Sequence, residues 1–203
     1  MFFYSICNIV FHDIITARYE NDLAIYLDIY RRNTMFDTKL EGFKIRFADR
    51  KDVPLILNFI KDLAEYEHMS EEVVATNELL EKFLFDQQKA EVIIGEYQQA
   101  PVAFALFFHN FSTFLGQPGI YLEDLFVLPE MRGKGFGTMM ITFLAALAVE
   151  RECGRLEWSC LDWNEPSIKF YKSMGAIPME EWTTFRATGK ALENMAFRFR
   201  KQT

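Results

Sequence analysis

The stretch Tyr121–Thr138, YLEDLFVLPEMRGKGFGT, decides the fold. It leads from an apolar strand ending near Val127 into a helix by way of Arg132 and three alternating glycines, Gly133, Gly135 and Gly137. Without Cβ atoms, these positions let main-chain N–H groups crowd around an anion. The helix that follows adds the positive end of its dipole. Arg132 and Lys134 add formal charge, although Lys134 also suits a solvated surface. A diphosphate is the anion such a loop accepts. The rival is a dinucleotide fold, with Glu157 lying 20 residues beyond Gly137, near where an acid would grip a ribose. The spacing, G-x-G-x-G rather than G-x-G-x-x-G, and its place late in the chain argue against it.

Upstream, Phe43, Ile45 and Phe47 alternate with Lys44, Arg46 and Ala48, the pattern of a strand with one buried face. Val53, Ile56, Phe59, Ile60 and Leu63 form a helical stripe from Asp52 to about Tyr66, and Thr76 is placed to cap a second helix through about Phe85. Strands are predicted at Glu91–Glu96 and Val102–His109, joined as a hairpin, and after a loop at Asn110–Gly119, at Ile120–Val127. Downstream, Met140, Phe143, Leu144 and Leu147 have helical spacing that ends near Cys153 and Gly154. A strand at Arg155–Leu161, a helix from Pro166 to Gly175, a strand near Trp182–Thr188 and a short helix around Lys190–Ala196 follow.

The chain has 203 residues, half of them hydrophobic, including 21 phenylalanines, which suits one well-buried domain and an appendage. Its net charge of −7 argues against a nucleic-acid partner and for a small cationic one. No apolar run approaches the roughly 18 residues that a membrane span requires. The N-terminal MFFYSICNIVF has neither a basic segment before it nor a small-residue cleavage site after it, and residues 1–42 carry six acids against four bases, unlike a mitochondrial presequence. A cytoplasmic location is expected, with Cys7, Cys153 and Cys160 reduced. Those cysteines and the scattered His12, His68 and His109 build neither a metal centre nor a nucleophilic triad. Residues 1–42 read as an N-terminal extension in which Ile14, Ile15 and the apolar residues from Leu23 to Tyr30 allow one or two helices; Met35 could be an alternative start. Residues 43–203 form the principal domain.

MRGKGFGT resembles the R-x-x-G-x-G/A signature of the GNAT N-acetyltransferase superfamily. IRFADRKDV from Ile45, LAEYE around Tyr66, YLEDLFV around Glu123 and WNEPSIKFYK around Tyr171 resemble its diamine acetyltransferase branch, that of spermidine/spermine and thialysine N-acetyltransferases. The likeness spans Phe43 to about Ala187 and leaves residues 1–42 outside. It implies an α/β fold with a mixed, twisted sheet of six to seven strands flanked by helices, antiparallel at first and splayed after the strand at Glu123. It also implies acetyl-CoA as cosubstrate, no metal, a small cationic amine as acceptor and a homodimer.

Residue by residue, the resemblance implies that main-chain groups of Leu125, Phe126 and Val127 hold the acetyl and pantetheine portion. Arg132, Gly133, Lys134, Gly135, Phe136, Gly137 and Thr138 would hold the diphosphate. Asn164 and Ser167 match positions that contact CoA, and Asn164 is equally a helix cap. Tyr171 matches the general acid that protonates the departing thiolate: a phenol with a reference pKa of about 10 keeps its proton at neutral pH yet can give it to a developing thiolate. The bland reading of Tyr171 is a core tyrosine beside Phe170. Glu123 matches the acid that attracts the amine and takes its proton, against the bland reading of a surface carboxylate; Asp124, on a regular strand, would face the other way. Tyr66, Glu67, Trp158 and Glu181 match acceptor-side positions, with a length difference around Glu181. Within this chemistry, transfer to a protein N-terminus or lysine is the alternative acceptor class, and a silent acetyl-CoA-binding module is the non-enzymatic one.

Overall fold

The computed structural model describes residues 34–199. Cys7, His12 and the helices expected between Ile14 and Tyr30 lie outside them. The chain divides into two compact units, Met1–Ser159 and Cys160–Thr203, and all the described strands belong to the first.

Six strands hydrogen-bond in chain order: β1 (Met35–Asp37), β2 (Phe43–Phe47), β3 (Glu91–Tyr97), β4 (Ala100–Ser112), β5 (Gln117–Val127) and β6 (Leu156–Trp158). Each neighbouring pair from β1 to β5 is antiparallel, and β6 runs parallel to β5. Among the described residues of this unit, α-helices form at α1 (Val53–Tyr66), at α2 (Asn77–Leu80), which continues as a π-helical turn over Glu81–Asp86, and at α3 (Phe136–Glu150). The mixed α/β sheet flanked by helices is the architecture expected from sequence.

The sheet has a core on each face. On one, Phe43, Ile45, Phe107, Ile120 and Leu122 pack with Met140, Leu144 and Leu147 of α3. On the other, Ile94, Phe104 and Phe126 pack with Ile56 and Phe59 of α1 and with Leu84. A parallel-displaced ring pair anchors each: Phe43 on Phe136 at 4.3 Å and Phe59 on Phe104 at 5.2 Å. Arg46 ties β2 to the start of α1 and to β3, its guanidinium forking onto Asp52 at 2.6 and 2.9 Å while Nε donates to Glu96 at 2.7 Å. Burial opposes the charge on Asp52, but the Arg46 fork and a hydrogen bond from the Asp49 N–H hold its carboxyl below the usual carboxylate range.

Four local features differ from the sequence reading. The boundary expected after residue 42 falls within the sheet, because Met35, Phe36 and Asp37 pair with Arg46, Ile45 and Lys44. The loop expected at Asn110–Gly119 contracts to a turn at residues 113–116, since Asn110, Phe111 and Ser112 pair with Gly119, Pro118 and Gln117. The final strand of the first unit covers only Leu156–Trp158 rather than Arg155–Leu161. In the second unit, α4 (Glu165–Ser173) and α5 (Gly189–Phe199) form, but Trp182–Thr188 is irregular chain instead of a strand. An alternating pattern makes a strand only where another strand takes its hydrogen bonds, and no described strand pairs with it.

The interface between β5 and β4 contains a bulge. Leu106 pairs with Asp124 and Phe107 with Leu122, so Glu123 is the extra residue on β5. The insertion resets the alternation: Leu122 joins the α3-side core and Phe126 the α1-side core, although a regular strand would put residues four apart on one face. The expectation that Asp124 faces away from Glu123 assumed the regular strand that this bulge interrupts. β6 pairs only with Ile120, Tyr121 and Leu122, so among the described residues the sheet opens on that side of β5 beyond Leu122.

Phe43→Ala would remove a ring that is 1% exposed and stacked on the first residue of α3. Urea unfolding is expected to show a loss of about 3–5 kcal/mol, the usual cost of emptying such a site.

Candidate active site

Downstream of the opening, the chain turns through Pro129–Met131 into the glycine loop. Gly133 and Gly135 have φ of +76° and +85°, a left-handed backbone that side chains strain. Gly135 is the N-cap of α3 and supplies no side-chain cap, and no acidic residue occupies the first turn. The first N–H groups of α3 are therefore left to an anion. Phe136 lies in this loop, but its side chain is 3% exposed and stacked on Phe43, so only its main chain can face a ligand. Gly137 and Thr138 continue the first turn, and Lys134 is exposed, with Nζ 3.1 Å from the Met131 sulfur.

Leu125, Phe126 and Val127 pair with Ala105, Phe104 and Ala103 on one side, and among the described residues no strand pairs with them on the other. Their side chains serve the packing, with Phe126 buried against α1 and Leu125 and Val127 against the α3-side core. The open edge thus offers main-chain donors and acceptors to an extended ligand and ends at the anion loop, a fit for the pantetheine and diphosphate of acetyl-CoA. Arg132 stands where edge and loop meet. Its Nε donates to the Val127 carbonyl at 3.0 Å, and its guanidinium lies 4.3 Å from the centre of the Tyr66 ring and 5.4 Å from that of Phe126.

Beside this edge the carboxylates gather. Tyr66 and Glu67 close α1 and are half-buried, and Glu123 is exposed at the bulge. Burial first, then the charges of Glu123 and Glu67, push the Asp124 carboxyl up to about 6. Burial also pushes Glu67 up. The sequence reading set Asp124 on the opposite face of a regular strand; its adjacency to Glu123 was the available signal for the site, and the bulge is invisible in a single strand. Trp158 ends β6 opposite Leu122, half-buried against the α3-side core. Its neighbour Ser159 meets the Tyr121 hydroxyl at 2.8 Å.

In the second unit, Asn164 is 6% exposed and its Oδ1 accepts from the Ser167 N–H at 3.3 Å, capping α4. Tyr171 lies in the same helix, half-buried, its ring 5.2 Å from that of Phe170. Glu181 is exposed in irregular chain. The structure thus groups Tyr66, Glu67, Glu123, Asp124 and Arg132 within the first unit, and Asn164, Ser167 and Tyr171 on one helix of the second. Among the described residues no cluster of His, Cys, Asp and Glu could hold a metal ion, and no helix is long and apolar enough to cross a membrane.

Residues 56–176 match the acetyltransferase (GNAT) family model. Over 164 residues the chain is 35% identical to the thialysine N-epsilon-acetyltransferase of Bos taurus, covering 75% of this chain and 96% of that one. It is 31% identical over 211 residues to an L-ornithine N5-acetyltransferase of Arabidopsis thaliana, covering 79% and 92%. Among solved structures, an integron cassette protein from the mobile metagenome of V. cholerae superposes with a TM-score of 0.65 at 26% identity, covering 76% of this chain and 98% of that one. A soil-metagenome aminoglycoside acetyltransferase with a TM-score of 0.63 and 20% identity, covering 73% and 97%, shares the fold. With its splayed sheet, glycine loop and family match, the chain belongs to the GNAT family and is an acetyl-CoA-dependent N-acetyltransferase.

Proposed function

We propose that the acceptor is a small cationic amine, a polyamine or a lysine-like amino acid, acetylated by direct attack in a ternary complex. The carrying observation is the group Glu67, Glu123 and Asp124, set beside the open edge of β5. Three carboxylates there attract an ammonium and make a neutral acceptor uncompetitive. The net charge of −7 favours the same class. The thialysine and ornithine acetyltransferases among the relatives add support, because both are named for amino acids that carry a second amine.

In this reading acetyl-CoA supplies the thioester. An alkyl ammonium with a reference pKa of about 10.4 must lose a proton before its nitrogen can attack. Glu123 accepts that proton, directly or through water, while Asp124 and Glu67 hold the remaining positive charge. Main-chain groups of Leu125–Val127 orient and polarise the thioester carbonyl. Gly133–Thr138 hold the diphosphate with Arg132 and Lys134, and Asn164 and Ser167 contact the carrier from α4. The Tyr171 hydroxyl gives its proton to the sulfur as the C–S bond breaks. Trp158 and Glu181 complete the acceptor side. A cytoplasmic homodimer joined through the C-terminal segment belongs to the same proposal, and light scattering on purified protein tests the dimer.

A thiol-release assay with acetyl-CoA and spermidine, thialysine and ornithine tests the chemistry. CoA release with at least one of them is expected, with kcat lowered about 10²- to 10⁴-fold in Tyr171→Phe. CoA binding without turnover on any amine would favour the silent module, and turnover only on a peptide N-terminus or lysine would move the acceptor to proteins.

Asp124 gives a pH test. Its carboxyl titrates near 6 in the folded chain, against 3.8 ordinarily, so its ionisation opposes folding: the cost is absent below about pH 4, grows from 4 to 6 and is complete above. Asp124→Asn is therefore expected to stabilise the ligand-free protein by about 1–3 kcal/mol at pH 8 and by almost nothing at pH 4, read by urea unfolding. The same substitution should raise KM for the amine at pH 8. It should also flatten the wild-type rise in KM as pH falls through 6.

A further inference from the structure

Arg132 touches both halves of the site at once. The carbonyl of Val127, on the edge assigned to the carrier, accepts from Nε at 3.0 Å, while the guanidinium lies 4.3 Å from the ring centre of Tyr66, a residue of the acceptor side at the end of α1. The ring of Phe126 stands 5.4 Å away. These contacts engage Nε and the central carbon of the guanidinium. Its Nη donors make no hydrogen bond among the described residues, and they lie in the plane where a diphosphate is gripped bidentately. The anion and Tyr66 therefore claim different parts of one rigid fork.

We propose that Arg132 is a positioning residue that couples the two subsites, its cation–π contact with Tyr66 pre-setting it for the diphosphate and the bound diphosphate in turn fixing the Tyr66 ring for the amine. The proposal rests on the assignment of Gly133–Thr138 to the diphosphate and Tyr66 to the acceptor. Arginine is long and rich in rotamers, and each contact removes freedom that the other would otherwise have to remove. The coupling is positive and, by linkage, reciprocal: whatever factor the carrier adds to amine affinity, the amine adds to carrier affinity. A partly exposed cation–π contact sets the scale at about two- to fivefold. Tyr66 thereby influences CoA binding from the acceptor side of the site.

Calorimetric titration of CoA into the full-length chain, with no amine present, tests this. Tyr66→Leu is expected to weaken CoA binding about two- to fivefold. Tyr66→Phe keeps the aromatic face and should bind CoA as the wild type does. In Arg132→Met, which binds CoA less tightly, adding Tyr66→Leu should cost nothing more. At saturating acetyl-CoA, Arg132→Met should raise KM for the best amine of the panel by a similar factor. Wild-type CoA affinity in Tyr66→Leu would overturn the coupling, as would equal weakening in Tyr66→Phe, which would transfer the effect to the hydroxyl; in either case the N-acetyltransferase assignment would stand. A wild-type protein giving no heat with CoA would overturn both.

Discussion

The partner that β5 loses after Leu122 is what gives this molecule a site. Backbone N–H and C=O groups in a sheet are satisfied by the next strand, and an interior strand normally has one on each side. Here β4 accompanies β5 to Val127, whereas β6 stops opposite Leu122. Among the described strands the unpaired remainder of β5 is an edge in the middle of a sheet, and an edge is a template for anything extended that can hydrogen-bond to it. The recognition is carried by main-chain atoms, so the side chains of Leu125, Phe126 and Val127 remain free to serve the two cores.

The bulge at Glu123 sits where the opening begins, and it governs charge as the opening governs shape. One extra residue shifts the facing of everything that follows, so that Leu122 and Phe126 enter opposite cores and Asp124 comes within the field of Glu67 from α1. Burial first, and then the two neighbouring acids, make an ionised Asp124 costly in the ligand-free protein, which its raised carboxyl records. A cationic acceptor relieves that cost and the acids supply much of its binding, so the electrostatic strain of the ligand-free state and the selectivity for cations have one origin.

Much of the fold was legible because most elements obey simple periods. Phe43, Ile45 and Phe47 alternate and are buried; Ile56 and Phe59, and Met140, Leu144 and Leu147, follow helical spacing and face the sheet. What escaped depends on relations between strands. The bulge at Glu123 exists only as a mismatch of register with β4, and Gly119 and Pro118 read as loop residues although Asn110 and Phe111 pair with them. The hairpin turn at Gln98 and Gln99 adopts φ of 51° and 69° without the usual Asn-Gly, because the flanking strands impose it. At the site, the glycine loop and Glu123 were legible because each residue type is itself the signal. Asp124 and the cation–π contact of Arg132 with Tyr66 were not, since both require knowing which side of a strand, or of a helix end, meets which.

The anion loop also shows how a flexible sequence becomes a rigid site. Glycines allow many conformations, and a loop that had to choose one on binding would lose affinity to that ordering. Gly135 is followed directly by Phe136, whose ring is stacked on Phe43 in the α3-side core and lies 5.1 Å from the ring of Tyr97. The first turn of α3 is thereby fixed to the sheet at the residue after the left-handed glycine, and the direction of its N–H groups follows from the core. On the other side of the loop, Arg132 is held by Val127 and Tyr66. The glycines supply the shape of the cradle, while the phenylalanine and the arginine that bracket them supply its permanence, so that catalytic geometry at the open edge is inherited from hydrophobic packing several residues away.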